Sequence, residues 1–370
     1  MDFGIISADD HIDLRFLPRD LWQTRVPAAL RDHAPRVEDR PEGPMWVCGD
    51  SVWTPWGRGG HSGLKWAVER DGSYDGAPRP TIPALRLADM DRDGVDASVM
   101  YGPVSLLQAD DPQVRQLCYT AYNDWLVEFC AAEPRRLIGA GMLPADDPAL
   151  AAQELQRLAK LGLRHAMLLA ALAAPPIYHP AWEPFWAAAA ETRIPVGIHL
   201  FVGPPAPQPG VSALALSVSN GVQAPLQLVD PLVALIFSGV FERYPDLRLV
   251  LAESGIAWLP FTLQRMDREY GKYRHFAREF WEQRGGIPLT MRPSEYFQRQ
   301  VWATFQDDPV GLANVDFIGE DRVMWASDYP HPDSTWPHSQ AVIAGQMADL
   351  SEAARRKITR DNARALYGLN

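Results

Sequence analysis

Ile5-Ile6-Ser7-Ala8-Asp9-Asp10-His11 is an apolar run that stops on two carboxylates and an imidazole. In an extended strand residues i and i+2 point the same way, so Asp9 and His11 can reach one common point at the strand's C-terminal end. Taken alone, the stretch is more ordinarily a strand followed by a solvated polar turn. The far end of the chain alters that reading. There Val323-Met324-Trp325-Ala326-Ser327-Asp328-Tyr329-Pro330-His331 repeats the pattern, a strand-like apolar run that stops on an acid.

Between these two stretches, strand-like and helix-like segments alternate. Short apolar segments predict strands at 5–11, 97–101, 137–143, 165–169, 195–199, 247–253, 300–305 and 323–328. Helical patterns at 82–90, 113–132, 148–161, 182–192, 222–239 and 258–274 separate them, the clearest carrying Leu117, Ala121, Trp125 and Phe129 at a spacing of four. Eight strands in that alternation predict an α/β fold, a distorted (β/α)8 barrel of the TIM type, as one domain over 1–370. Insertions are expected after strand one, after strand five and before strand seven. The first, 14–80, mixes Pro, Gly, Asp and Arg with Trp22, Trp46, Trp53, Trp56 and Trp66. It is expected to be a cover segment that walls a pocket, forms a satellite core or meets a second subunit. The second, 201–222, holds four prolines and three glycines and reads as a long loop suited to a lid.

Composition bounds the partners. With 47% hydrophobic and 22% charged residues in 370, the chain has the usage of a soluble globular protein with a large core. A net charge of −11 and the lack of a basic stripe argue against nucleic acid as the main partner. The acidic start and the absence of an apolar run of ~20 residues lead us to expect no leader, no membrane span and a cytoplasmic location. Cys48, Cys118 and Cys130 are odd in number and lack CxxC spacing, so they read as core residues.

Chemistry enters through the strand ends. Strand one ends on Asp9 and His11, strand five on His199, strand six on Glu253 and strand eight on Asp328, all at one face of the predicted barrel. Each has an ordinary explanation by itself; their coincidence is the signal. Two imidazoles and two carboxylates, Asp9, His11, His199 and Asp328, suit one divalent ion, Zn²⁺ first, with Mn²⁺, Fe²⁺ or Co²⁺ also accommodated. Strand four ends without a lysine that could bridge a second ion. His331, three residues beyond Asp328, is a candidate general acid/base or a structural hydrogen-bonding group. Trp325, Tyr329, Phe201 and Trp336 lie near strand ends as candidate contacts to an aromatic or cyclic substrate, and Arg58 as a candidate contact to an anionic one.

These residues also carry a resemblance. Asp9-Asp10-His11, Pro195-Val196-Gly197-Ile198-His199, the run from Tyr244 through Glu253 to Gly255, and Trp325-Ala326-Ser327-Asp328-Tyr329-Pro330-His331 resemble the amidohydrolase superfamily. The likeness is to its amidohydrolase-2 branch, which includes aminocarboxymuconate-semialdehyde and resorcylate-type decarboxylases, and it spans nearly the whole chain. It implies a distorted barrel with one catalytic metal held by Asp9, His11, His199 and Asp328, and family habit implies a homodimer. Asp9 stands where relatives often carry His or Glu, and Glu253 where characterised decarboxylases carry a catalytic histidine.

Two reactions follow, of which the missing histidine favours the first. In the expected one, metal-activated water hydrolyses a small cyclic or aromatic substrate, with Asp328 as general base and Glu253 or His331 as proton donor. In the alternative, an aromatic or enol acid loses CO₂ without oxidation while Glu253 protonates carbon. A second alternative is an inactive barrel that serves as a binding scaffold.

Overall fold

The computed structural model describes residues 3–57, 77–103, 109, 111–201, 206–284 and 289–369. After β1 (Ile6–His11) come three short strands, β2 (Arg36–Arg40), β3 (Gly43–Cys48) and β4 (Ser51–Pro55). The chain then runs through β5 (Ala97–Tyr101), β6 (Leu137–Met142), β7 (His165–Leu168), β8 (Val196–His199), β9 (Leu249–Ala252), β10 (Val301–Phe305) and β11 (Val323–Trp325). Eight of these, in the order β1-β5-β6-β7-β8-β9-β10-β11, form one parallel sheet. Parallel neighbours need crossovers, which helices such as Pro112–Cys130, Pro148–Lys160 and Glu183–Thr192 supply. Asp111 and Asp147 start the first two by accepting backbone N–H groups of the first turn, with proline next in line.

The barrel closes between its first and last strands through the residues that follow β11. Ser327 N–H donates to Ser7 Oγ at 2.8 Å, Asp328 N–H to the Asp9 carbonyl at 2.9 Å, and His11 N–H to the Tyr329 carbonyl at 2.7 Å. Inside, Ile6, Ala8, Val99, Tyr101, Ile138, Ala140, Met167, Val250 and Met324 pack with Phe3, Leu366, Tyr367 and Leu369, so the C-terminal segment plugs the N-terminal end of the barrel. Outside, strand residues such as Leu249, Leu251, Val323 and Trp325 pack against the helices. The polar residues therefore collect at the C-terminal rim. Cys48, Cys118 and Cys130 are buried thiols that form no disulfide, as expected of core residues.

The described part of the cover segment, 14–57 and 77–80, contains regular structure. β2, β3 and β4 form a three-stranded antiparallel sheet, and the β3–β4 turn Gly49-Asp50 has Gly49 at φ 55°, the left-handed turn geometry that joins tight hairpins. The Pro and Gly density that reads as loop is hairpin punctuation. Trp22 and Trp46 meet edge to face at 5.0 Å inside the main core, and their indole N–H groups donate to the carbonyls of Cys118 and Leu14. These two rings thus form core rather than pocket wall. The expected lid at 201–222 is partly a helix, Ala213–Gln223, started by Ser212 Oγ accepting from Ala215 N–H. The helix expected over 222–239 is broken into a 3-10 turn, Ala224–Leu228, and an α-helix, Val229–Phe237, next to Pro225, which cannot donate to an α-helical ladder. Among the described residues no helix is long and apolar enough to cross a membrane.

One buried pair fixes β1 in place. Arg86, on the helix Pro83–Asp93, is fully buried and donates to the His11 carbonyl at 2.7 Å, to Ser98 Oγ at 3.1 Å and to Asp10 Oδ2 at 3.4 Å. Asp10 also accepts from Ser98 Oγ, from Ser7 Oγ at 2.7 Å and from Tyr329 N–H at 3.2 Å. Removing one member of such a pair leaves the other charge buried without compensation, at a cost of about 3–5 kcal/mol. Arg86→Ala is therefore expected to lower the unfolding free energy by about that amount in urea titrations followed by circular dichroism; a loss below about 1 kcal/mol would remove this pair from the account.

Candidate metal centre

Strict alternation along β1 would send Ile6 and Ala8 to one face and Asp9 and His11 to the other. The β1–β5 register shifts between Ser7 and Asp10, and this irregularity lets the apolar pair line the barrel interior while Asp9 and His11 turn over its mouth. Asp10 faces the opposite way, toward Arg86. His199 ends β8, and its Nδ1 pairs with the Leu200 carbonyl at 2.7 Å, which leaves Nε2 directed at Asp9 and Glu253. Glu253 and Asp328 follow β9 and β11 in left-handed conformations, φ 52° and 62°, sparsely populated for residues with a side chain.

The donor atoms converge. Asp328 Oδ1 lies 3.2 Å from His11 Nε2, Asp9 Oδ1 3.6 Å from it, and His199 Nε2 3.9 Å from Asp9 Oδ1 and 3.4 Å from Glu253 Oε2. Ligands held ~2.0–2.2 Å from one ion stand roughly 3–4 Å from one another, and the donors fall into two mutually close groups that share His11, namely Asp9, His11 and His199, and His11, Glu253, Asp328 and His331. A second observation points the same way. Asp9 Oδ1, His11 Nε2, His199 Nε2 and both Asp328 oxygens are buried with no hydrogen-bond partner of good geometry. Each such orphan costs about 1–3 kcal/mol, a cost that a cation bound among them would offset. Of the four residues that sequence reasoning assigns to one ion, the structure sets Asp9 and His199 beside His11 on one side and Asp328 beside His11 on the other.

The neighbouring charges set the protonation states. Burial, assisted by His11, pushes the His199 imidazole down to about 3, and burial with the charge of His331 lowers His11, so both favour the neutral form that a metal ligand needs. Burial and then the Asp328 charge raise Asp9 well above the carboxylate range, and the same two causes raise Glu253. Burial opposes ionisation of Asp328, but His331 and His11 beside it hold its carboxyl well below the usual range. His331 stacks on His11 at 3.8 Å between ring centres, its Nδ1 3.1 Å from Asp328 Oδ1 and its Nε2 3.2 Å from Asp13 Oδ1. Burial disfavours its charged form, but those two carboxylates overcome burial and raise the imidazole well above its ordinary value. Both ring nitrogens face acids.

The aromatic candidates fare differently. Trp325 is fully buried in the core between barrel and helices, because on β11 it alternates with the inward-facing Met324; it does not line the mouth. Tyr329 and Trp336 pack with Phe16 in a small separate cluster, where Tyr329 Oη donates to Asp89 Oδ2 at 2.6 Å and Trp336 Nε1 to the Asp89 carbonyl at 2.9 Å. Tyr329 meets His11 through its backbone carbonyl, while its ring and that of Trp336 are held at Asp89. Phe201 is half-buried just past β8. Arg58 lies outside the described residues.

Sequence reasoning passed over Thr304 and Asp13. Thr304 Oγ1 and Glu253 N–H donate to Asp9 Oδ2 at 2.8 and 2.7 Å, which turns the other oxygen of Asp9 inward. Extending the strand-end rule from acids and imidazoles to hydroxyls would have found Thr304, one residue from the end of its strand.

Against this geometry the comparisons with known proteins take on meaning. A sequence model described as Amidohydrolase matches residues 20–369. The chain belongs to the amidohydrolase family. A gamma-resorcylate decarboxylase from Polaromonas sp. (strain JS666 / ATCC BAA-500) is 26% identical to this amidohydrolase over 313 residues, covering 78% of this chain and 88% of that protein. An amidohydrolase of Mycobacterium avium subsp. paratuberculosis K-10 superposes with a TM-score of 0.74 at 20% identity, covering 100% of this chain and 99% of that one. A dihydroxybenzoic acid decarboxylase from Polaromonas sp. JS666, solved with bound manganese and the inhibitor 2-nitroresorcinol, gives 0.64 at 22% identity over 100% of this chain and 98% of that one. At these identities the superpositions speak for the barrel.

The relatives correct one expectation. Hydrolysis by metal-activated water is overturned, because the curated proteins that this amidohydrolase matches are decarboxylases. The missing strand-six histidine is thus a poor guide to reaction class.

Loss of metal is the direct check on the ligand cluster. His199→Ala or Asp328→Asn should abolish stoichiometric divalent metal, measured by elemental analysis after dialysis, while far-UV circular dichroism stays native. Thr304→Val, which frees Asp9 Oδ2, should weaken metal binding by about 10–100-fold.

Proposed function

We propose that this amidohydrolase is a metal-dependent, non-oxidative decarboxylase of a small aromatic or enol acid. The observation that carries the proposal is the set of five orphaned donor atoms at the barrel mouth, in a chain whose curated relatives remove CO₂. Asp9, His11, His199 and Asp328 would hold one divalent ion, manganese or zinc. The donor set of two imidazoles and two carboxylates is compatible with either, and manganese is the ion in the Polaromonas structure. When bound, such an ion acts as a Lewis acid on a phenol or enol oxygen beside the substrate carboxylate.

The chain's own residues supply the proton. Decarboxylation breaks the bond between ring carbon and carboxylate, leaves the electron pair on carbon and releases CO₂; a proton must reach that carbon. Glu253 is the candidate donor. Its Oε2 stands beside His11 and His199, its side chain is 19% exposed at the mouth, and burial and the Asp328 charge favour its protonated form. In this reading Glu253 takes the place of the histidine found in characterised decarboxylases. His331, fixed between Asp13 and Asp328, serves as a positioning residue that orients the Asp328 carboxylate. Phe201, half-buried just past β8, is the candidate contact to a substrate ring.

Manganese- or zinc-loaded protein incubated with 2,6-dihydroxybenzoate and related ortho-hydroxy acids should release CO₂ in equal amount to the phenol formed. Glu253→Gln should lower kcat by about 10²–10⁴-fold with metal content retained. Failure to release CO₂ from any hydroxybenzoate or enol acid, with metal bound, would sink the proposal.

A further inference from the structure

His11 is the donor common to both close groups at the barrel mouth, yet no hydrogen bond of good geometry holds either of its ring nitrogens. A metal-bound imidazole ordinarily donates its second nitrogen to a partner that fixes the plane of the ring. His199 does so, through Nδ1 and the Leu200 carbonyl at 2.7 Å. His11 Nδ1 is buried without such a partner. Neighbouring rings surround it instead: His331 at 3.8 Å between centres, His199 at 5.0 Å and Tyr101 at 6.2 Å. Tyr101 also lies 5.2 Å from His199, so its ring meets both imidazoles from inside the barrel.

Tyr101 is itself locked. It ends β5 opposite His11 in the β1–β5 register and is fully buried. Its Oη lies 2.7 Å from His165 Nε2, and His165 Nδ1 lies 2.8 Å from the Pro195 carbonyl. A carbonyl can only accept, so Nδ1 carries the ring proton. Burial lowers this imidazole to about 3, which leaves Nε2 bare to accept from the Tyr101 O–H. The bond therefore has one direction. Gly197, two residues before His199 on β8, makes room for it. A Cβ there would meet Tyr101 Cε1 at 2.7 Å, His165 Nε2 at 2.9 Å and Tyr101 Oη at 3.0 Å. Tyr367, from the segment that plugs the barrel, meets His165 edge to face at 5.1 Å. Apolar side chains would fill this space without bringing a hydroxyl and an imidazole into the interior, where polar groups are costly unless paired. What the pair adds over apolar filling is a fixed angle for the Tyr101 ring.

We propose that Tyr101 is a positioning residue of the metal centre: its ring, fixed by the hydrogen bond to His165 above Gly197, sets the plane of His11 and braces His199. The proposal rests on His11 and His199 being ligands and is independent of the reaction that follows. Cobalt(II) reports the arrangement of its ligands in its visible absorption, so the probe is Co²⁺ titrated into the full chain after dialysis against a chelator. Wild type should bind it with a visible spectrum that His199→Ala abolishes. Tyr101→Phe, which removes one oxygen and keeps the ring, should weaken Co²⁺ binding by about 10–100-fold and shift the bands, with native far-UV circular dichroism. His165→Leu should reproduce that shift. The double variant Tyr101→Phe, His165→Leu should bind no more weakly than either single one, because all three lack the same bond. Tyr122→Phe, at another fully buried tyrosine, should leave affinity and bands unchanged. A wild type that binds no cobalt would overturn the ligand assignment and this proposal with it. Wild-type affinity and bands in Tyr101→Phe, additive losses in the double variant, or an equal shift in Tyr122→Phe would overturn the proposal alone and leave the ligands standing.

Discussion

Carboxylates buried side by side repel one another and lose their hydration, and the rim of this barrel buries three, Asp9, Asp10 and Asp328, each at most 2% exposed. The chain resolves this in two ways. Asp10 is given a permanent counter-charge, Arg86, and three further donors, so its oxygens are satisfied without help. Asp9 and Asp328 are treated differently. Asp9 keeps one oxygen in hydrogen bonds with Thr304 and Glu253 and leaves the other bare; Asp328 is approached by two imidazoles without being well hydrogen-bonded by either. One acid builds the frame and two are left wanting a cation. The two kinds sit next to each other in sequence because a strand sends neighbours to opposite faces.

The same contrast separates shape from chemistry along the backbone. Asp328 and Glu253 both adopt left-handed conformations that cost of order 1–3 kcal/mol for residues bearing a side chain. Such backbone persists where its surroundings hold it. Glu253 N–H is held by Asp9 and Thr304, and Asp328 N–H by the Asp9 carbonyl. Asp9 therefore fixes the placement of both other acids besides its own, and the ligand cluster is mechanically one unit.

What was legible in the sequence follows from this. The barrel was readable because parallel strands buried on both faces appear as short apolar runs, and all eight fall within a few residues of their expected places. The strand-end acids and imidazoles were readable because they interrupt those runs. The small sheet β2-β3-β4 within the Trp-rich segment is not legible in the sequence, since two-residue hairpin turns look like loop when prolines surround them. The direction that the Tyr329 and Trp336 side chains take is not legible in their nearness to Asp328 in sequence; their hydrogen bonds lead to Asp89, on the helix Pro83–Asp93. The role of Arg86 needs a long-range contact with Asp10 that no local pattern encodes.

The seam of the barrel carries a temporal consequence. β1 emerges first from the ribosome and β11 nearly last, yet the hydrogen bonds that join them are made by the backbone of Asp9, His11, Asp328 and Tyr329. A nascent chain that stops short of residue 328 lacks the backbone that holds Asp9 and His11 in register. Closure of the barrel is thereby a late event in biosynthesis, waiting on the segment that follows β11.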